Sequence, residues 1–204
     1  MKDTRETIIY EALTLFSRRG YDGVSMRDVA TSVGIKAPSL YNHFKSKEDI
    51  FDGIISAMSK RYENAMAQIS VPRGEIEEVA GIYTAIEQSQ LQEIAKGLFL
   101  YFWKDDFAAK FRRMLIMEQY KNTMAGNTFQ NYFIDGALKF QSYLFTEMIH
   151  REAFRDCDPY IMALHFYAPI FLLLNKYDHD KENETEALSI LAKHVKQFSE
   201  IYVK

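Results

Sequence analysis

The stretch from Ser25 to Lys47, SMRDVATSVGIKAPSLYNHFKSK, constrains the fold of this chain more than any other. Ser25 and Asp28 predict a helix start of the capping-box type, and Gly34 predicts the end of that helix. Pro38 suits the first turn of a second short helix, expected from Pro38 to Phe44. Two short helices joined by a glycine turn are typical of a helix-turn-helix, whose second helix enters the DNA major groove.

The second helix is expected to present a polar outer surface. Ile35, Leu40 and Phe44 are its apolar side chains and are expected to face a small core. The side chains left outside are donors, acceptors and one aromatic ring with a polar tip, which suit phosphates and base edges. They are Lys36, Ala37, Ser39, Tyr41, Asn42 and His43.

The charge of the chain neither favours nor excludes a nucleic-acid partner. The net charge is −3, of which residues 1–50 contribute +1 and the remainder −4. A DNA-binding face must therefore come from a local arrangement of Arg27, Lys36, Lys45 and Lys47. Ser25 is a further candidate, because the exposed N–H groups at the start of its helix attract anions.

Two segments carry a family resemblance. GIKAPSLYNHFKSKEDIF at 34–51 and IIYEALTLFSRRGYDGVSMRDVA at 8–30 resemble the DNA-binding domain of TetR/AcrR-type transcriptional regulators. The resemblance covers roughly residues 4–51. It implies phosphate contacts by Tyr41, His43 and Lys47, and base-edge readout by Lys36, Ala37, Ser39 and Asn42. Met26 departs from the small polar residue that is frequent in this family, so Arg27 is the better candidate there.

The helical spacing of apolar residues predicts an all-α chain. A first helix is expected from Thr4 to Arg19 with Asp3 as its cap, and a long helix from Ser46 to Ile69. VPRG at 71–74 breaks that pattern. We expect a helix-turn-helix DNA-binding domain at 1–47, a connecting helix at 48–70, and a helical ligand-binding and dimerisation domain at 71–204.

Within the C-terminal domain, further helices are expected at about 90–103, 106–121, 128–150, 160–176 and 184–202. Residues 75–88 are ambiguous and residues 122–127 look like a turn. The carboxylates of Asp105 and Asp106 are interpreted as solvated helix ends.

Aromatic and methionine side chains are dense in this domain. Such residues line ligand pockets in helical bundles, but at helical spacing they also form cores and interfaces. The candidate pocket consists of Phe99, Phe102, Trp103, Met114, Met117, Tyr120, Phe133, Tyr143, His165 and Phe166. His165 itself is interpreted as a hydrogen-bonded core histidine rather than a ligand group.

The segment from Tyr160 to Lys176 is apolar on nearly every side, so something must cover it all round. A second copy of the chain would complete that burial in a four-helix interface with the 128–150 helix. The candidate interface residues are Phe140, Leu144, Leu172 and Leu173. The family resemblance implies the same homodimeric arrangement.

Several classes of function lack support in the sequence. Cys157 is the only cysteine, so no internal disulfide forms, and the five histidines show no metal-ligand spacing. There is no nucleotide-binding or hydrolase motif, so we expect no cofactor, no metal and no enzymatic activity. The chain begins without the pattern of a signal peptide, and its apolar run at 160–174 is too short for a membrane span. A cytoplasmic protein is expected.

The resulting hypothesis is a homodimeric regulator of transcription that binds a near-palindromic double-stranded DNA operator. The resemblance implies repression relieved by a small apolar or aromatic effector, although activation fits the sequence equally well. Two alternatives stay open: an architectural or adaptor DNA-binding protein without an inducer, and a ligand-binding helical dimer that has lost DNA binding.

Overall fold

The computed structural model describes residues 3–85, 87–180 and 182–204. Its helices are α1 (Thr4–Arg19), α2 (Met26–Val33), α3 (Ala37–Tyr41), α4 (Lys47–Gln68), α5 (Ile76–Ala85), α6 (Gln88–Lys104), α7 (Asp106–Glu118), α8 (Thr123–Phe129), α9 (Asp135–His150), α10 (Pro159–Lys176) and α11 (Glu184–Tyr202), with a π-helical segment, Gln130–Ile134, before α9. The predicted all-α class is confirmed. None of the described helices combines the length and hydropathy that crossing a bilayer requires.

The predicted helix starts are formed by local capping. The Asp3 side chain accepts the N–H of Arg5 at 2.9 Å, and Ser25 and Asp28 form a reciprocal capping box at the start of α2. Gly34 ends α2 in the left-handed conformation, with φ 75° and ψ 26°, which glycine adopts without steric cost. The residues that determine these helix ends lie within four positions of the ends themselves.

Four segments differ from their sequence-based expectation, one of them the helix expected over 128–150, which is interrupted by the π-helical segment Gln130–Ile134 before α9. Helix α3 stops at Tyr41 instead of Phe44, and the N–H of His43 turns back to the carbonyl of Leu40 at 2.9 Å. Residues 122–127 were expected as a turn but largely belong to α8, because the Asn122 side chain accepts the Ala125 N–H at 3.1 Å. The ambiguous stretch 75–88 contains α5.

The chain divides into two compact units. The N-terminal unit comprises the residues up to Ala65 together with Asp105–Phe129, and the C-terminal unit comprises Met66–Lys104 and Gln130–Lys204. The boundary between the two units therefore falls within α4. Helices α7 and α8, expected in the C-terminal domain, belong to the N-terminal unit because α7 packs along α1. The functional division at residues 47 and 70 stays a prediction.

The N-terminal unit is built around the buried face of α1. Leu13 and Phe16 have no exposed surface, and the Phe16 ring lies 5.2 Å from that of Tyr21. Helix α7 covers α1 and also contacts α4, where the Arg61 guanidinium carbon lies 4.6 Å from the centroid of Phe107. The helix-turn-helix thus has a core that extends beyond the first 50 residues.

The C-terminal unit has two apolar clusters. In one, α5, α9, α10 and α11 meet around Phe145 and Phe198, whose rings lie 5.4 Å apart. In the other, α6, α10 and α11 meet around Trp103, whose indole N–H donates to the backbone carbonyl of Tyr177 at 2.7 Å. Helix α10 contributes to both clusters and is the central helix of this unit.

Candidate nucleic-acid interface

Helix α3 divides its side chains between core and surface as predicted. Leu40 and Phe44 are fully buried, whereas Ile35 is only partly so. Lys36, Ser39, Tyr41 and Asn42 are exposed, with 51 % of Tyr41 accessible, while Ala37 and His43 are half-buried. The structure therefore brings the predicted reading residues together on the surface of one short helix.

A residue that the sequence did not indicate holds the end of α3. The Arg5 Nη1 atom donates to the backbone carbonyl of His43 at 2.7 Å, and its guanidinium carbon lies 4.0 Å from the centroid of the Phe44 ring. Both contacts are made from α1 to a segment 38 residues away. No local pattern signals such a pairing, because Arg5 reads only as a polar residue in a first helical turn.

The hydroxyl of Ser25 is already engaged at the start of α2. It donates to Asp28 Oδ2 at 2.6 Å and accepts the Asp28 N–H at 3.2 Å. The hydrogen bonds that the hydroxyl and the backbone N–H of Ser25 donate to Asp28 Oδ2, followed by the nearby Arg19 guanidinium, lower the pKa of the Asp28 carboxyl. A phosphate contact by Ser25 would require its hydroxyl hydrogen to change partner, whereas Arg27 is exposed on the first turn of α2. Both phosphate contacts stay predictions.

Lys47 has a structural task besides its predicted phosphate contact. Its Nζ atom donates to the backbone carbonyls of Tyr21, at 2.8 Å, and Val24, at 3.1 Å, and lies 4.2 Å from the centroid of the Tyr21 ring. An ammonium group has three donors, so one N–H remains after these two bonds. The phosphate contact stays a prediction, and the same atom also ties α4 to the preceding turn.

Asp106 lies exposed at the start of α7, as the sequence suggested, but it also has hydrogen-bond partners in α1 and α7. Its Oδ2 atom accepts the Tyr10 hydroxyl at 2.5 Å and the Lys110 ammonium at 2.6 Å, joining α7 to α1. Burial opposes the charge on Lys110, but its hydrogen bonds to Asp106 and Tyr10 outweigh that effect and raise its pKa. Asp105, in contrast, caps α7 by accepting the Ala108 N–H at 2.9 Å.

The ten candidate pocket residues do not form one site within either unit. Met114, Met117 and Tyr120 belong to the N-terminal unit, where Tyr120 is 90 % exposed. Phe99 and Trp103 are packed in the core of the C-terminal unit, as the core alternative anticipated. The remaining five belong to that unit as well: Phe102 and Phe133 with rings 5.5 Å apart, the exposed Tyr143, the half-buried Phe166, and His165.

Two apolar cavities border α10. The α9–α10 groove, of about 440 Å³, is lined by Ile134, Leu138, Leu164, Tyr167, Ala168, Phe171, Leu172 and Asn175. The α10–α11 cleft, of about 340 Å³, is lined by Leu164, His165, Ala168, Pro169, His194, Gln197, Phe198, Ile201 and Tyr202. His165 is exposed rather than part of the core, and its Nδ1 atom shares a hydrogen bond of 2.5 Å with the Tyr202 hydroxyl.

The four candidate interface residues fall into two groups. Leu144 and Leu173 are each only 6 % exposed because they pack into the clusters of their own unit, so they offer little surface to a partner. Phe140 and Leu172 are exposed, the latter by 66 %. On α10, Leu172 belongs to an exposed stripe spaced by four and three residues, as in a coiled-coil seam. Its members are Ile161, His165, Ala168, Leu172 and Asn175.

Comparison with known proteins adds to this geometry. The family profile of bacterial regulatory proteins of the tetR family matches residues 8–54. Over 48 residues the chain is 52 % identical to the biofilm operon icaADBC HTH-type negative transcriptional regulator IcaR of Staphylococcus aureus, covering 24 % of this chain and 26 % of that protein. Residues 8–54 form a TetR-family helix-turn-helix domain. The chain spans about a quarter of the length of the curated relatives it matches.

Structural similarity extends the TetR-type likeness to the whole fold. A TetR-family regulator from Mesorhizobium loti superimposes with a TM-score of 0.69 at 23 % identity, covering 98 % of this chain and 97 % of that one. The complex of SmeT with triclosan gives 0.68 at 18 % identity, covering 98 % and 92 %. SmeT is the repressor of a Stenotrophomonas maltophilia multidrug efflux pump. Among the described residues, no group of His, Cys, Asp and Glu is arranged to hold a metal ion.

Proposed function

We propose that this chain is a homodimeric, sequence-specific regulator of transcription that binds double-stranded DNA and acts as a repressor. The observation that carries the proposal is the TetR-family domain at residues 8–54, with the polar face of α3 exposed above a buried core. Recognition helices of this kind read base edges in the major groove, while flanking groups contact phosphates. A role as an enzyme has no comparable support, and a DNA operator implies action in the cytoplasm.

The exposed stripe on α10 supports a dimer. Ile161, Ala168 and Leu172 lie on it at the spacing by which two helices pack along a seam, and an isologous contact would bury the same stripe on both copies. A two-fold dimer carries two recognition helices related by the same axis. The operator is therefore an inverted repeat whose half-sites lie about one helical turn of DNA, or a multiple of it, apart.

The C-terminal unit is proposed to receive a small apolar or aromatic effector that releases the operator. The proposal rests on the density of aromatic side chains in this unit and on the fold shared with SmeT, which was solved with triclosan. An effector acts only if it binds the DNA-free arrangement more tightly than the DNA-bound one. A tenfold loss of operator affinity requires a preference of about 1.4 kcal/mol.

The burial of Phe99 and Trp103 favours a second candidate, a DNA-binding protein of the same fold that needs no effector. Trp103 is the only tryptophan, so its emission reports on this part of the molecule. Titration with small aromatic compounds distinguishes the two candidates. Saturable changes in emission, together with release of bound operator, support the effector-controlled repressor.

The test of the proposed function is selection of bound duplexes from a random DNA library by the purified protein at near-physiological salt. We expect enrichment of an inverted repeat. A folded dimer that enriches no sequence would contradict sequence-specific regulation and favour the ligand-binding dimer without DNA contacts.

Within the proposed interface, Tyr41 and Asn42 are expected to respond differently to substitution. Tyr41→Ala removes a phosphate contact and should weaken binding to the operator and to random duplex alike. Asn42→Ala removes a side chain able to pair with adenine, and should relax selectivity at one base pair by about 1–3 kcal/mol. Competition between operator variants measures both effects. Equal losses on specific and random duplexes for Asn42→Ala would refute its role in readout.

A further inference from the structure

The turn between α1 and α2, residues 20–25, is held by a buried carboxylate from α7. Glu118 is 1 % exposed, and its Oε1 atom accepts the backbone N–H of Tyr21 at 3.1 Å. Its Oε2 atom is buried without a hydrogen-bond partner. A buried carboxylate with one unsatisfied oxygen costs stability that an apolar side chain would not. Such a group calls for an explanation beyond packing.

The approach of this carboxylate depends on a glycine. Gly20 has φ 75°, and a Cβ atom built on it would lie 2.7 Å from Glu118 Oε1. That distance is shorter than any ordinary contact, so a side chain at position 20 would push the carboxylate away from the Tyr21 N–H. Glu118 therefore provides the acceptor, and the absence of a side chain at Gly20 leaves room for it.

The same turn is held from its other side by α4. Lys47 donates to the carbonyls of Tyr21 and Val24, so the backbone of Tyr21 is bonded to α7 through its N–H and to α4 through its C=O. The Tyr21 ring packs edge-on against Phe51 of α4, with centroids 5.7 Å apart. One residue therefore connects the end of α7 with the start of α4.

The turn leads directly to the surface proposed to contact DNA. Its last residue, Ser25, is the N-cap of α2, and Lys47 is the first residue of α4. The position of the turn consequently sets where these two helix starts lie relative to each other. The readout residues of α3 are held separately, through Arg5 and the buried Leu40.

We propose that Glu118 is a positioning residue for DNA binding, which holds the α1–α2 turn so that the starts of α2 and α4 match the spacing of the phosphates. This inference rests on the proposed function. Because Glu118 acts on phosphate contacts, its loss lowers affinity for every sequence and reduces the salt dependence of binding, while base selectivity is preserved.

The test compares full-length variants with the wild type on the selected operator and on random duplex, over a range of salt concentrations and well below the thermal transition. Glu118→Leu should weaken binding about tenfold on both duplexes and lower the salt slope by about one phosphate contact. Glu118→Gln keeps an acceptor for the Tyr21 N–H and should restore affinity to within about threefold of the wild type. Glu118→Asp keeps the charge, but its shorter side chain moves the carboxylate away from the Tyr21 N–H. This variant replaces Glu118→Leu in the test if the leucine variant does not fold.

Lys110→Met is the matched control, because it removes a different α1–α7 contact at the opposite end of α7. It should leave both affinity and salt slope unchanged. The inference is overturned if the folded Glu118→Leu and Glu118→Asp variants bind like the wild type, or if Lys110→Met loses as much affinity, since the effect would then be one of general stability. Failure of the wild type itself to bind DNA would instead contradict the proposed function.

Discussion

Replacing Leu172 by Glu will separate the proposed dimer into monomers and abolish tight binding to an inverted-repeat operator. Leu172 is 66 % exposed on the α10 stripe, so the substitution leaves the core of its own unit intact. In an isologous interface both copies contribute the new carboxylate, and two unpaired charges are removed from water together. We expect the dimer dissociation constant to rise at least about a thousandfold, which corresponds to roughly 4 kcal/mol.

Sedimentation and operator binding measure the two effects on the same preparation. Ile82→Glu is the matched control, because Ile82 is an exposed apolar residue of α5 in the same unit but off the stripe. It should leave the dimer unchanged. Leu173→Glu is unsuitable, since Leu173 is buried in its own unit and its loss would damage the core. A Leu172→Glu protein that sediments as the wild type does would refute the α10 interface.

Replacing Lys47 by Met will destabilise the N-terminal unit as well as weaken DNA binding. The ammonium of Lys47 makes two hydrogen bonds to backbone carbonyls and lies over the Tyr21 ring. Hydrogen bonds from a charged donor are each worth about 1.5–3 kcal/mol. Part of this loss is offset in the variant, because water can solvate the carbonyls that Lys47 no longer contacts. We expect the free energy of unfolding to fall by about 2–3 kcal/mol.

Chemical denaturation and operator binding separate the two roles of Lys47. Lys45→Met removes an exposed charge from the neighbouring segment and should change stability by less than about 0.5 kcal/mol. If Lys47→Met lowers DNA affinity without changing the free energy of unfolding, Lys47 acts through phosphate alone. If it lowers stability without any further loss of affinity in the folded protein, its phosphate contact is refuted.

The features that sequence reasoning predicted well are those with local determinants. The bounds of α1, the cap of α2 by Ser25 and the left-handed Gly34 each depend on residues within one or two turns of helix. Apolar spacing likewise identified Leu40 and Phe44 as the buried side of the recognition segment. Helix propensity, capping and periodicity depend on residues this close together, so they can be recognised in a single sequence.

The contacts that were missed join residues far apart in the chain. Lys47 bonds to a carbonyl 26 residues away, and Tyr10 and Glu118 have partners 96 and 97 residues away. Each of these side chains is polar and reads locally as part of a solvated face. Periodicity also indicates which face of a helix is apolar but not what covers it, which is why Trp103 was assigned to a pocket although it packs in the core.

The discontinuity of the N-terminal unit limits how this protein can be recombined. The polypeptide enters the N-terminal unit twice, first up to Ala65 and again at Asp105–Phe129. A chimera that fuses only the first 65 residues to a foreign C-terminal domain would leave α1 without α7, and Tyr21 without Glu118. Exchange of a complete N-terminal unit between relatives therefore requires three crossovers in the chain instead of one.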